Sequence, residues 1–201
     1  MNGLPRLVIA LTLITLVAGL LLSLVESLTR EPIAEQRRLE TLRALQTVLP
    51  PFDNSPDADT VVLVAGKDKK GRDLMRTFFR GRQNSKVTGM AFTVVAPDGY
   101  SGNIAMMVGV DPAGTVSGLE ILSHAETPGL GDKITRDEFK KQFDGKQLDG
   151  IDWRVKKDGG DFDQITGATI SPRAVVKAVH QGLLFYREHQ SELLSAGEGA
   201  Q

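Results

Sequence analysis

Residues 87–122 read VTGMAFTVVAPDGYSGNIAMMVGVDPAGTVSGLEIL. Three β-rich runs, Val87–Ala96, Gly102–Val110 and Val116–Leu122, are separated by Pro97-Asp98-Gly99 and by Asp111-Pro112-Ala113-Gly114, both good turn chemistry. Connections this short cannot hold a crossover helix, so neighbouring strands are expected to be antiparallel. Upstream, Thr60–Ala65 and Leu74–Phe79 read as two further strands, with the turn residues Gly66–Gly71 between them.

Helical patterns flank the strands. Glu31–Leu49 carries Ile33, Leu39, Leu42, Leu45, Val48 and Leu49 near helical spacing and should stop at Pro50-Pro51. Downstream, Thr135 followed by Glu138 predicts a capping box opening a short helix through Phe143. Ser171-Pro172 predicts an N-cap and a first helical position, with the helix running through Ala174, Val175, Ala178, Val179 and Leu183 toward Leu194. The sum is an α+β class: one antiparallel sheet with flanking helices.

Ahead of all this, Leu7–Val25 reads LVIALTLITLVAGLLLSLV without a charge. A bilayer core needs about 20 apolar residues in helix, and no Ala-x-Ala-like site precedes Glu26, so an uncleaved transmembrane signal-anchor is expected. Arg6 on one side and Arg30, Arg37 and Arg38 on the other leave its orientation open. The expected organisation is an N-terminus of residues 1–6, an anchor helix at 7–25, a helical stalk and linker at 26–59, a folded domain at 60–194 and a frayed tail at 195–201.

Composition narrows the chemistry. The 201 residues contain no Cys, which excludes disulfide scaffolds, zinc-thiolate modules and thiolate-held iron–sulfur clusters. A formal charge of −1 argues against a nucleic-acid partner. Gly129-Leu130-Gly131 begins like a dinucleotide fingerprint, but Ile134 stands where the third glycine belongs. His124, His180 and His189 lack metal-ligand spacing; His124 reads as a structural or supporting residue and the other two as helix-face residues. Gly99-Tyr100-Ser101-Gly102 lacks the spacing of a nucleophile elbow.

Two segments stand out. In Glu126-Thr127-Pro128-Gly129-Leu130-Gly131, proline extends Thr127 while the glycines permit positive φ and close approach. Leu130 is thereby held between bare backbone positions, suited to a planar ligand or simply to a tight connection. In residues 163–172, DQITGATISP, three hydroxyls flank Gly167-Ala168 just before a helix start, where free N–H groups favour a phosphate. Thr169 is open to attack in that setting; alternatively Thr166 and Ser171 are only capping and turn residues.

Asp163-x-x-Thr166-Gly167-Ala168-Thr169 resembles the flavinylation motif of the FMN-binding domain family, and the 126–131 loop resembles that family's second hallmark. With the anchor and the chain length, the sequence is similar to the G subunits of Rnf-type ion-translocating electron transport complexes. The resemblance implies FMN linked through a phosphodiester to Thr169, with Asp163, Thr166, Gly167 and Ala168 as the recognition motif. It further implies that Glu126, Thr127, Pro128, Gly129, Leu130 and Gly131 line the flavin. A flavin transferase using FAD and magnesium would mature the protein, and the domain would face the periplasm from the bacterial inner membrane. The implied role is electron relay within a multi-subunit translocase, not catalysis alone. Two other readings stay in view: the C subunit of a sodium-translocating NADH:quinone reductase, which shares both motifs on a longer chain, and a tethered binding or assembly module without redox role.

Overall fold

The computed structural model describes residues 3–67, 71 and 73–195, without the side chains of Leu4 and Lys67. The Gly66–Gly71 turn falls partly, and the 195–201 tail almost wholly, outside the described residues. The chain divides into two compact units, Met1–Thr41 and Leu42–Gln201.

The first unit is helix. Helix α1 runs Gly3–Val48 without a break, with Pro32 inside it. Its apolar stretch is long enough to cross a membrane, and Leu7, Leu13, Leu20 and Leu28 are more than half exposed within the chain. Such side chains lose nothing in lipid, where helix satisfies every backbone group internally. Thr12, Thr15 and Thr29 return their hydroxyls to carbonyls at Val8, Leu11 and Val25, so these hydroxyls need no water.

In the second unit, β1 (Thr60–Lys67), β2 (Asp73–Gln83), β3 (Lys86–Ala96), β4 (Ile104–Val110) and β5 (Val116–Ser123) form one sheet in sequence order. Every pairing is antiparallel, as the short connections require. The β2–β3 hairpin turns on Asn84 (φ 51°) and Ser85 (φ 66°), two consecutive left-handed residues that match a type I′ turn to the strand twist. In the β4–β5 turn, Asp111 Oδ1 accepts the N–H groups of Ala113 and Thr115.

Both faces of the central strands are covered, which explains why β3 and β4 read as nearly continuous apolar runs. One face, with Phe78, Phe92, Val94, Met106 and Val108, packs in a common core with Val175, Ala178, Val179, Leu183 and Tyr186 of helix α3 (Ile170–Ser195). On the other face, Ala44, Leu45 and Val48 at the end of α1, with Leu49 just beyond it, meet Ala91 and Met107. Ser117 Oγ donates to the Val48 carbonyl at 2.5 Å, and a Cβ on Gly118 would stand 2.9 Å from Val48 Cα. The end of α1 thus lies directly on the sheet, and the helix ends at Val48, one residue short of the expected boundary.

Between β5 and α3 the chain is irregular. A 3₁₀ turn at Gly131–Thr135, the four-residue helix α2 (Asp137–Lys140), and 3₁₀ turns at Lys141–Phe143 and Lys156–Asp158 replace the single short helix expected from Thr135 to Phe143. The capping box does not form. Thr135 Oγ1 donates backward to the Asp132 carbonyl at 2.8 Å, because its residue already closes the preceding turn, and Arg136 takes the N-cap position of α2 without a side-chain cap. Phe139, Phe143, Trp153 and Phe162 gather with ring centroids 4.9–6.5 Å apart and give this segment its own aromatic core.

Candidate functional site

The start of α3 differs from its sequence reading in an instructive way. The helix begins at Ile170, and the first i to i+4 bond runs from the Arg173 N–H to the Thr169 carbonyl at 3.1 Å, which makes Thr169 the N-cap residue. Ser171 is not the cap. It sits inside the first turn, 1% exposed, and donates its hydroxyl to Glu126 Oε2 at 2.5 Å, a charge-assisted bond stronger than a capping contact. Pro172 is tolerated in this turn because its missing N–H would be unpaired in any case. Among the described residues, the Thr169 hydroxyl and the Ile170 and Ser171 N–H groups have no hydrogen-bond partner.

Just upstream, the chain folds back on itself: Ile165 and Ala168 form an antiparallel bridge closed by the Ala168 N–H to the Ile165 carbonyl at 3.0 Å. Gly167 takes the third position of this turn at φ +81°, the left-handed geometry a type II turn demands there. Thr166 and Gly167 are exposed, and Thr169 is half-buried.

The 126–131 loop is organised by Glu126, whose side chain is buried at 4% exposure. Oε1 accepts the Ser101 N–H at 3.2 Å, Oε2 accepts the Ser171 hydroxyl, and the residue's own N–H donates to His124 Nδ1 at 3.2 Å. His124 therefore supports the loop backbone. The Leu130 N–H closes onto the Thr127 carbonyl, leaving Leu130 43% exposed.

The two segments meet around a pocket of about 510 Å³ lined by Tyr100, Glu126, Thr127, Leu130, Gly131, Lys157, Gly167, Ala168, Thr169, Ile170 and Ser171. Of the residues singled out in the sequence, Pro128, Gly129, Thr166 and Asp163 do not line it. Asp163 instead pairs with Lys156 at 2.7 Å and donates its N–H to Gln142 Oε1, so it shapes the entry of the turn. His180 and His189 both lie on α3; His180 stacks on Trp153, and burial holds its imidazole below the ordinary histidine range.

Tyr100 and Lys157 were missed in the sequence. An exposed aromatic between two turn glycines is a usable signal for Tyr100. Lys157 has none, because its place depends on tertiary ties. Arg173 on α3 grips Asp158 through two bonds of 2.6 and 2.8 Å, and Lys156 is held by Asp163. The Arg173 guanidinium keeps the Asp158 carboxyl below the usual carboxylate range. Lys157 lies exposed between these pairs, feeling the Asp158 charge but with no carboxylate within salt-bridge distance of it among the described residues. The pocket thus offers an unpaired hydroxyl, an exposed cation, unpaired N–H groups at a helix start, and the apolar surfaces of Tyr100 and Leu130.

This combination suits a planar, phosphate-bearing ligand, and residues 99–184 match the FMN-binding domain family. Residues 5–48 match the RnfG N-terminal region. Among relatives, the chain is 42% identical to the G subunit of the ion-translocating oxidoreductase complex of Aliivibrio fischeri (strain MJ11), over 93% of this chain and 92% of that one. It is 41% identical to the G subunit of the same complex in Pseudomonas aeruginosa (strain UCBPP-PA14), over 97% and 94% respectively. The chain belongs to the family of ion-translocating oxidoreductase complex G subunits. Among solved structures, the C subunit of the Na⁺-translocating NADH-quinone reductase from Parabacteroides distasonis superposes with a TM-score of 0.58 at 18% identity, covering 79% of this chain and 96% of that one. NqrC of Shewanella oneidensis superposes with a TM-score of 0.51 at 23% identity, covering 75% and 73%. These two likenesses establish a shared fold.

Proposed function

We propose that this chain is the FMN-carrying electron-transfer subunit of a membrane-bound, multi-subunit ion-translocating oxidoreductase, and that FMN is fastened to Thr169 through a phosphodiester. FMN, once bound, supplies one- and two-electron chemistry; the protein supplies position and polarity. The observation that carries the attachment point concerns hydroxyls. Of the three in the 163–172 segment, Thr166 does not line the pocket and Ser171 is committed to Glu126, whereas Thr169 lines the pocket with its hydroxyl unpaired.

The residues present fit the group. Lys157 and the N–H groups at the start of α3 would hold the phosphate, which keeps one negative charge as a diester, and the helix end contributes about 0.3–1 kcal/mol if partly exposed. Tyr100 and Leu130 would flank the ring, and Gly167 and Ala168 leave its approach unobstructed. Glu126, Thr127 and Gly131 complete the lining, while Pro128, Gly129, Asp163 and Thr166 shape the two loops. Residues 7–25 anchor the chain in the inner membrane with residues 1–6 on the cytoplasmic side. The 26–59 stalk and linker carries the 60–194 domain in the periplasm. A flavin transferase completes maturation. Among the alternatives, identity to the family's G subunits across nearly the whole chain favours this complex over the quinone reductase.

The test is a denaturing gel of the protein co-expressed with a flavin transferase. A fluorescent band that survives denaturation is expected. A colourless protein would overturn the reading and leave a tethered assembly module in its place.

A further inference from the structure

Three of the four segments that line the pocket, all but the one carrying Lys157, are tied to one buried carboxylate. Ser101, next to Tyr100, gives its N–H to Glu126 Oε1 at 3.2 Å. Ser171, next to Ile170 and two residues from Thr169, gives its hydroxyl to Oε2. Gly131, next to Leu130, passes so close that a Cβ there would stand 2.7 Å from Oε2 and 2.7 Å from Ser171 Oγ. A Cβ on Gly99 would also stand 2.8 Å from Oε1, although it would meet the Gly102 carbonyl oxygen first. Both carboxylate oxygens are used, both partners donate, and at 4% and 1% exposure neither Glu126 nor Ser171 has water as an alternative.

Resting on the flavin reading of the pocket, we propose that Glu126 and Ser171 form a positioning clamp. The clamp fixes Tyr100, Leu130 and Thr169 relative to one another and sets a negative charge, tempered by the Ser171 hydroxyl, beside the ring. Ser171 serves here as a hydrogen-bond donor and not as a second attachment point. The two substitutions that break the clamp therefore act in opposite electrical directions. Glu126→Gln keeps the side-chain volume and an acceptor for Ser101, but removes the charge and turns an N–H toward Ser171. Ser171→Ala leaves the charge and removes the donor that tempers it.

The experiment uses the full chain in its flavin-loaded form, as wild type, Glu126→Gln, Ser171→Ala and the double variant, reading the midpoint potential and the visible circular dichroism of the flavin. Glu126→Gln should shift the potential upward, Ser171→Ala downward, and the double variant should reproduce Glu126→Gln alone, because the hydroxyl has no charge left to temper. Shifts of the same sign in the two single variants, additive effects, or unchanged spectra and potentials would each overturn the clamp. A second arm needs no flavin. In a Thr169→Ala background, adding Glu126→Ala should speed amide exchange at Ser101, Thr127, Gly129, Leu130 and Gly131 by about tenfold; unchanged exchange rejects the clamp. A colourless wild type together with the accelerated exchange would reject the flavin reading while the clamp stood.

Discussion

Leu130 and Gly167 meet in space: a Cβ on Gly167 would lie 3.6 Å from Leu130 Cδ2. Through this contact the loop after β5 and the turn before α3 become two walls of one pocket, although they are far apart in the chain. A Cβ at that distance would only touch the leucine methyl; what favours glycine at 167 is its left-handed φ of +81°.

Attachment should follow hydroxyl availability. Thr169→Ala should abolish covalent flavin, Thr169→Ser should keep it, and Thr166→Ala and Ser171→Ala should both leave it on residue 169. In-gel fluorescence combined with peptide mass spectrometry reads all four. Flavin persisting in Thr169→Ala would move the attachment elsewhere.

Charge in the pocket should set the flavin's potential. Leu130→Asp places an anion between the two walls, and Lys157→Glu replaces the one pocket cation free of an ion pair among the described residues. Both should keep the flavin on Thr169 and lower its midpoint potential, more weakly at high salt for the exposed Lys157 site. A redox titration that does not move for either variant would detach Leu130 from the ring and Lys157 from the phosphate.

Gly131 should be intolerant of even one methyl. Gly131→Ala presses a Cβ onto Glu126 and Ser171 and should cost about 1–3 kcal/mol in chemical denaturation. Adding Ser171→Ala removes one of the clashing atoms, so the double variant should lose less than the sum of the two single losses. Strict additivity would mean that the strain lies elsewhere.

Alkaline stability should depend on Tyr186. Its side chain is buried, donates to the Asp111 carbonyl at 3.3 Å, and burial pushes its phenol up to about 12. The unfolded value is about 10, so the folded state holds the proton more tightly and unfolding is increasingly favoured as pH climbs from 10 toward 12. Unfolding curves across that range should fall by up to about 2–3 kcal/mol in wild type and less steeply in Tyr186→Phe. Parallel curves would contradict the assignment.

How much was legible varied by segment. The five strands were readable because alternating or continuous apolar runs broken by Asp-Gly and Asp-Pro turn chemistry need only local information. Residues 131–162 were not, since their 3₁₀ turns and the Phe139–Phe143–Trp153–Phe162 cluster depend on contacts without a period. Thr135 and Ser171 failed as caps for one shared reason: a local rule proposes a partner for a hydroxyl, and a different partner outcompetes it. For Ser171 that partner is a carboxylate brought from 45 residues away.

By itself, the sequence determined an apolar N-terminal helix long enough to cross a membrane, the antiparallel sheet, and two loops whose glycines and hydroxyls fit a phosphate-bearing planar ligand. Helix and strand periodicity, turn chemistry and bilayer length are all written within a few residues. Only the tertiary structure decided which hydroxyl remains free, which residues line the pocket, and that Tyr100 and Lys157 belong to it. Those outcomes follow from competition among distant donors and acceptors in a buried, water-poor setting, where one carboxylate at Glu126 settles the roles of Ser101, Gly131 and Ser171 together.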